Sequence, residues 1–343
     1  MTSIASLLFG QKLGTPGASA SSARGEIAGL LVVLAAVFLL FSLTTNRFLS
    51  AETFTSVAFQ LPELGLLTLA MLMPLISGGF NLAITYTANM AGLVLAWVLQ
   101  ANGGADAGVA AFVLGVAAAL LSGAVIGGVM GVVVAYTGAH PILVSLSMMI
   151  FLRGLGEFLT RGGDISGFSS FVVHLGQGTL LGIPIPLLIF IACVAIWTIL
   201  LKRTRLGFAT HMIGSNPEAT RYSGVDTHRA IMLVYTLSGV MCAIAGIVML
   251  ARFNSVRVGH GESYLLITVL ASFLGRVDPF GGFGRVMPVV ISLVILQVIA
   301  SGLNLLGTNQ HLATALWGVI LIVVMIVRYV WARLQVGSLL LRS

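Results

Sequence analysis

Few residues in this chain have side chains that could do chemistry, and those few point to hydrogen bonding more than to catalysis. Asn81 follows the glycine pair Gly78 and Gly79, and Thr85 and Asn89 lie a little further along. A neutral amide both donates and accepts hydrogen bonds, which suits a hydroxyl-rich solute, although Asn81 also reads as a turn residue tying two spans together. Arg153, Glu157 and Arg161 are spaced four apart, so on a helix they form a ladder of ion pairs along one face. The six histidines (His140, His174, His211, His228, His260 and His311) stand without a carboxylate or cysteine at metal-ligand spacing, so no metal site is read. The two lysines, Lys12 and Lys202, do not complete Gly-x-x-x-x-Gly-Lys-[Ser/Thr], so the chain carries no P-loop for ATP. No paired acid or activated nucleophile supports an intramembrane enzyme.

The elements that position these residues follow from composition. Of 343 residues, 58% are hydrophobic and 8% charged, and the mean hydropathy is +1.08. A soluble domain carries roughly a quarter of its residues as charges, so this chain belongs in a membrane. Runs of about 20 apolar residues cross the hydrocarbon core as helix. About ten such spans are expected: 27–45, 57–77, 82–101, 108–136, 141–160, 183–201, 230–251, 263–277, 287–304 and 312–331. With the N-terminus inside, 12 of the basic residues fall on the cytoplasmic side against 4 outside (Arg47, Arg161, Arg252 and Arg257), a positive-inside bias that places both ends in the cytoplasm. The +7 net charge is spread over the loops, so it does not read as a nucleic-acid patch. Residues 1–26 read as a cytoplasmic tail with no cleaved signal peptide, and 332–343 as a second tail. Cys193 and Cys242 fall inside spans and act as small hydrophobes.

Two patterns concern how helices meet each other and their partners. Gly115, Ala119, Gly123, Gly127 and Gly131 put a small residue at every fourth position of the fourth span, which is a packing face. Trp97, Tyr329 and Trp331 suit the headgroup layer. One polar island, "GSNPEATRYSGVDTHR" at 214–229, interrupts the apolar chain. Within it Asn216 is a good N-cap, Pro217 fits the first helical position and Gly224 can end the helix, so a helix of about two turns is expected between loops. The basic stretch "LKRTRLG" at 201–207 puts it in the cytoplasm, where a short exposed helix can dock in another protein's groove.

These stretches together resemble a known family. "TRLGFATHMIGSNPEATRYSGVDTHRAIMLVYTLSGVMCAIAGIV" at 204–248 is similar to the cytoplasmic segment and following span of the ribose-type permeases of bacterial ATP-binding-cassette importers. "AHPILVSLSMMIFLRGLGEFLTRGGDI" at 139–165, "SGGFNLAI" at 77–84 and the closing "LNLLGTNQHLATALWGVILIVVM" agree in order and spacing, so the resemblance covers about 30–331. It departs at Asn81 and Ala83, where the family usually has Asp and Ser, and in "GRVDPFGGFGR" at 275–285, which gains Arg276 and Asp278.

The resemblance implies an all-α integral membrane permease with the transmembrane domain at 27–331 and a coupling loop at 202–229. Gly214, Asn216, Ala219, Arg221 and Gly224 would then belong to the helix that receives ATPase movement. It further implies a separate ATPase that binds the ATP, a periplasmic substrate-binding protein, and a second permease, either a copy or a paralogue. Gly78, Gly79, Asn81, Thr85 and Asn89 are the candidates for the solute path or gate. The outer loop at 161–182, with Arg161 and Asp164, is the candidate dock for the binding protein. The solute expected is a monosaccharide or polyol, with nucleosides and sugar-derived signals behind. The rival is an ion-gradient transporter, which usually needs Asp or Glu inside the spans, where this chain has almost none, Glu157 and Glu63 each falling near a span end.

Overall fold

The computed structural model describes residues 20–45, 47–309, 312–313 and 315–326. Residues 1–19 of the expected N-terminal tail and all of the expected C-terminal tail, and with them Lys12, Tyr329 and Trp331, lie outside the described residues, and the first helix begins at Ala20, inside the stretch expected as tail. The order of helices is α1 (Ala20–Thr44), α2 (Ala51–Ile76), α3 (Ile84–Ala101), α4 (Val109–Thr137), α5 (Pro141–Thr160), α6 (Ser170–Gln177), α7 (Ile185–Arg203), α8 (Arg205–Ser215), α9 (Pro217–Tyr222), α10 (Thr227–Phe253), α11 (Tyr264–Leu274), α12 (Val286–Leu305) and α13 (Ala315–Ile326). Eight of them, α1 to α5, α7, α10 and α12, are long and apolar enough to cross a membrane.

The expected eighth span is a correction. At 11 residues, α11 reaches only about 16 Å, half of a ~30 Å hydrocarbon core. It is held short by Gly259 and Gly261, both at positive φ, on one side and by Gly275 and left-handed Arg276 on the other. The tenth predicted span is described only as far as Ile326.

Helix α10 is the axis of the molecule, and glycines bring its neighbours onto it. A Cβ on Gly127 would strike the carbonyl oxygen of Tyr235, one on Gly123 that of Gly239, and one on Gly246 that of Ala88. The small-residue face of α4 therefore meets α10 backbone to backbone, and α3 seats on α10 through Gly246. The inner half of α2, Leu64–Ile76, is buried throughout despite Pro62 and Pro74. Proline is tolerated in such a helix because neighbouring segments satisfy the freed carbonyls. Outside this core, α1, α4, α5 and α7 turn Leu39, Leu121, Ile150 and Ile191 outward, as a lipid solvent permits.

Beyond the spans, a two-residue ladder pairs β1 (Ile165–Ser166) antiparallel with β4 (Ser255–Val256). A hairpin of β2 (Thr179–Leu180) and β3 (Ile183–Pro184) precedes α7. In the outer loop Phe168 and Val172 are buried, and Gly176 of α6 abuts the backbone of Ala251. The apolar centre of the outer loop thus covers the outer end of α10.

Candidate functional site

At one end of the bundle, three caps fold the polar island. Thr204 accepts a hydrogen bond from Gly207 N (3.2 Å) and starts α8 directly after α7, so the stretch read as a basic loop is largely helix. Asn216 then accepts from Glu218 N and Ala219 N (both 3.1 Å) and starts α9, with Pro217 at its first position. At six residues α9 is under two turns, shorter than expected, and it closes at Ser223 before Gly224 at φ 82°. Asp226 caps α10 through Arg229 N (3.0 Å) and pairs with the Arg229 guanidinium at 2.9 Å. Glu218, Ala219, Arg221 and Tyr222 are exposed, while Thr220 is buried and bonds back to Asn216 O at 2.7 Å.

Behind this projection lies a junction of bare backbone. A Cβ on Gly214 would collide with Ile76 O and Gly282 N, and one on Gly281 would sit 2.6 Å from Gly78 Cα and 3.0 Å from Gly214 Cα. Gly282 N donates to Ile76 O at 2.8 Å, satisfying a carbonyl at the end of α2. The end of α2, the end of α8 and the turn 275–285 therefore touch without side chains between them. Gly78, Gly281 and Gly282 all have positive φ, so glycine is required there for conformation as well as space. His211 places Nδ1 2.8 Å from Gly207 O and Nε2 3.2 Å from Gly284 O, bridging α8 to the same turn. The sequence showed Gly281, Gly282 and Gly284 in a turn, but nothing in it said what they met.

Asn81 lies one step deeper and is fully buried. Its Nδ2 donates to Ser238 Oγ (2.9 Å) and its Oδ1 accepts from Ala83 N (3.1 Å), while Ser238 Oγ donates to Ala70 O (2.7 Å). Tyr235 OH donates to Phe80 O at 3.1 Å, and a Cβ on Gly79 would press on that hydroxyl. The turn between α2 and α3 is thus tied to α10 at two points.

In the opposite half of the molecule, polar and charged side chains make the ties between segments. Asn89 Nδ2 donates to His260 O (3.1 Å) and Tyr86 OH to Glu262 Oε1 (3.1 Å). Arg153 pairs with Glu157 at 3.1 Å as expected, but its second partner is Glu262 (3.5 Å) on the loop before α11. Arg161 does not extend the ladder: at φ 53° it closes α5, its N–H donating to Glu157 O. Asp164 faces Arg257 at 3.8 Å, so the two candidate docking residues stand apart, one as a cap and one in an ion pair. Burial and the Arg257 charge hold His260 below its ordinary pKa, against a smaller opposing effect of Asp164. Thr85 is buried, and its hydroxyl has no hydrogen-bond partner among the described residues.

Glu63 is a further correction. It is not near a span end but in mid-helix, fully buried, with Arg252 at 2.7 Å and Tyr264 OH donating to it at 3.2 Å. Among the described residues no group of three His, Cys, Asp or Glu side chains could hold a metal ion.

A family model described as "Branched-chain amino acid transport system / permease component" matches residues 53–327. The chain belongs to this family of importer permeases. It is 29% identical over 295 residues to the autoinducer 2 import system permease protein LsrD of Yersinia enterocolitica, covering 84% of this chain and 87% of that one. To the protein of the same name in Yersinia pseudotuberculosis it is 29% identical over 308 residues, covering 88% and 90%. No solved structure matches the chain.

Proposed function

With membership of that permease family as premise, we propose that this chain forms half of the path by which a bacterial inner membrane imports a small hydroxylated solute. A periplasmic binding protein delivers the solute, a separate ATP-binding-cassette ATPase supplies the energy and a second permease, a copy or a paralogue, completes the path. The observation that carries this reading is the exposed, doubly capped α9 joined through Gly214 to the ends of two other segments. A contact made on Ala219 or Arg221 reaches Gly78 and Gly281 through backbone alone, and close-packed backbone transmits displacement where flexible side chains would absorb it. Gly214, Asn216, Ala219, Arg221 and Gly224 are thus the coupling residues. Gly78 and Gly79 set the hinge of the gate and Asn81 its anchor, while Thr85 and Asn89 face the solute side.

The hydroxylated solute class rests on the neutral amides and hydroxyls of α3 and on the autoinducer 2 import named for the relatives. The ion-gradient alternative usually relies on an intramembrane acid without a fixed cationic partner. Here the fully buried Glu63 is committed to Arg252 and Tyr264, and Glu157 and Glu262 both pair with Arg153.

Purifying the tagged chain from its native membranes in mild detergent, with mass spectrometry of what accompanies it, tests the assembly. An ATPase with two nucleotide-binding modules and a binding protein should co-purify. Recovery of this chain alone, even after crosslinking, would overturn the reading.

A further inference from the structure

The half-exposed charges Arg153, Glu157 and Glu262 lie at a depth where they cannot face lipid. Pro141, the first residue of α5, lies beside Gly79 at the glycine junction, which fixes that end of the helix. Arg153 is then about 18 Å further along a helix about 30 Å long. The loop carrying Glu262 reaches a similar depth, because Tyr264 touches Glu63, about 20 Å up α2 from Ile76. The side chains of Arg153, Glu157 and Glu262 are nonetheless 53%, 50% and 60% exposed. Charges in the hydrocarbon core face a bundle interior or a water-filled cavity.

The geometry points to the seam of α3, α5 and the loop 257–263 as the solute-recognition wall of the translocation path, contacting a neutral polyhydroxylated solute. This rests on the permease reading above. Each ion pair of Arg153 engages only Oε1 of its carboxylate, and an ionised carboxylate has lone pairs for several hydrogen bonds. Vicinal hydroxyls donate to such oxygens and accept from the guanidinium. Arg153 and Arg257 balance Glu157 and Glu262, so these charges of the wall cancel, which suits a neutral solute. A second and independent observation lies on α3. The buried Thr85 hydroxyl, without a partner, stands one turn below Asn89 on the same helix face.

The test uses the complete importer reconstituted in liposomes. Cys193 and Cys242 are replaced by Ala, and Glu262→Cys or Arg153→Cys is introduced, with Leu121→Cys on the outward face of α4 as the lipid-facing control. A charged, membrane-impermeant thiol reagent should modify both wall positions at least about tenfold faster than position 121, because the thiolate reacts and hydrocarbon suppresses its formation. Equal rates would overturn the proposal. In parallel, Glu262→Gln should lower ATP-driven uptake of radiolabelled neutral C5 and C6 sugars and inositols at least about tenfold, with ATPase co-purification unchanged. Unchanged uptake would remove Glu262 from recognition, and native complex that moves none of these probes would refute the solute class. Loss of the ATPase from the native complex would instead count against the permease reading itself.

Discussion

The two halves of the molecule solve opposite problems with opposite materials. At the coupling end, Gly78, Gly214, Gly281 and Gly282 bring three segments into contact with no side chain between them. At the other end, Arg153, Glu157, Glu262 and Tyr86 meet through long side chains that remain half in the open, except for the buried Tyr86 ring. Backbone contacts between glycines permit few alternative arrangements, so the first region suits transmission of movement. Side-chain ion pairs rearrange at little cost where water reaches them, so the second suits a surface that must bind and release. A rigid lever and an adaptable wall are what alternating access requires of one chain.

The largest effect should come from breaking the lever. Gly214→Leu or Gly281→Leu forces a branched side chain into backbone, and Gly281 also sits at φ 90°. Both should abolish uptake and lower the thermal midpoint of the purified chain by several degrees, since overpacking costs about 1–3 kcal/mol or more. Uptake at wild-type rate would show that the junction is not used. Ala219→Arg should separate coupling from folding: uptake disappears while insertion and thermal midpoint hold, because the residue is exposed, whereas Gly224→Arg, at φ 82°, should abolish uptake with a lower midpoint as well.

Asn81→Ala comes next. It leaves the buried Ala83 N–H without its acceptor and removes the donor to Ser238 Oγ, which keeps its own bond to Ala70 O, at about 1–3 kcal/mol for the unsatisfied group, read as lost stability in a denaturation curve. If Asn81 served only the solute, the substitution would alter transport and leave stability unchanged. His211→Ala removes the bridge from α8 to Gly284 and should cost about 1 kcal/mol, with partial loss of uptake.

The smallest effect concerns pH. His260 is held below its ordinary value of 6.5, so it is neutral through the neutral range, and uptake should be flat between about pH 6.5 and 8. Arg257→Gln removes one of the two influences that lower it. The titration should then move up, giving a fall in uptake that starts at a higher pH as the medium is acidified.

Much of this was legible in the sequence, and the parts that were not share a physical cause. Span positions follow from runs of apolar residues, and α9 from Asn216, Pro217 and Gly224, because those signals are local. The packing face of α4 was legible for the same reason. The sequence made Glu63 a near-terminal acid and Arg161 a ladder member, because partner choice depends on elements far apart: Arg252 reaches Glu63 from α10, and Glu262 reaches Arg153 from a re-entering loop. The length of α11 was overestimated because hydropathy continues through Val277, whereas Gly275 and left-handed Arg276 end the helix earlier. Nothing local in "GRVDPFGGFGR" says that its glycines meet Gly78 and Gly214.

The most direct test of the account places a photo-crosslinking amino acid at Tyr222, exposed on α9, in the assembled importer, and identifies the products by mass spectrometry. The account predicts a crosslink to the ATPase subunit. Crosslinks confined to lipid or to this chain itself would contradict it.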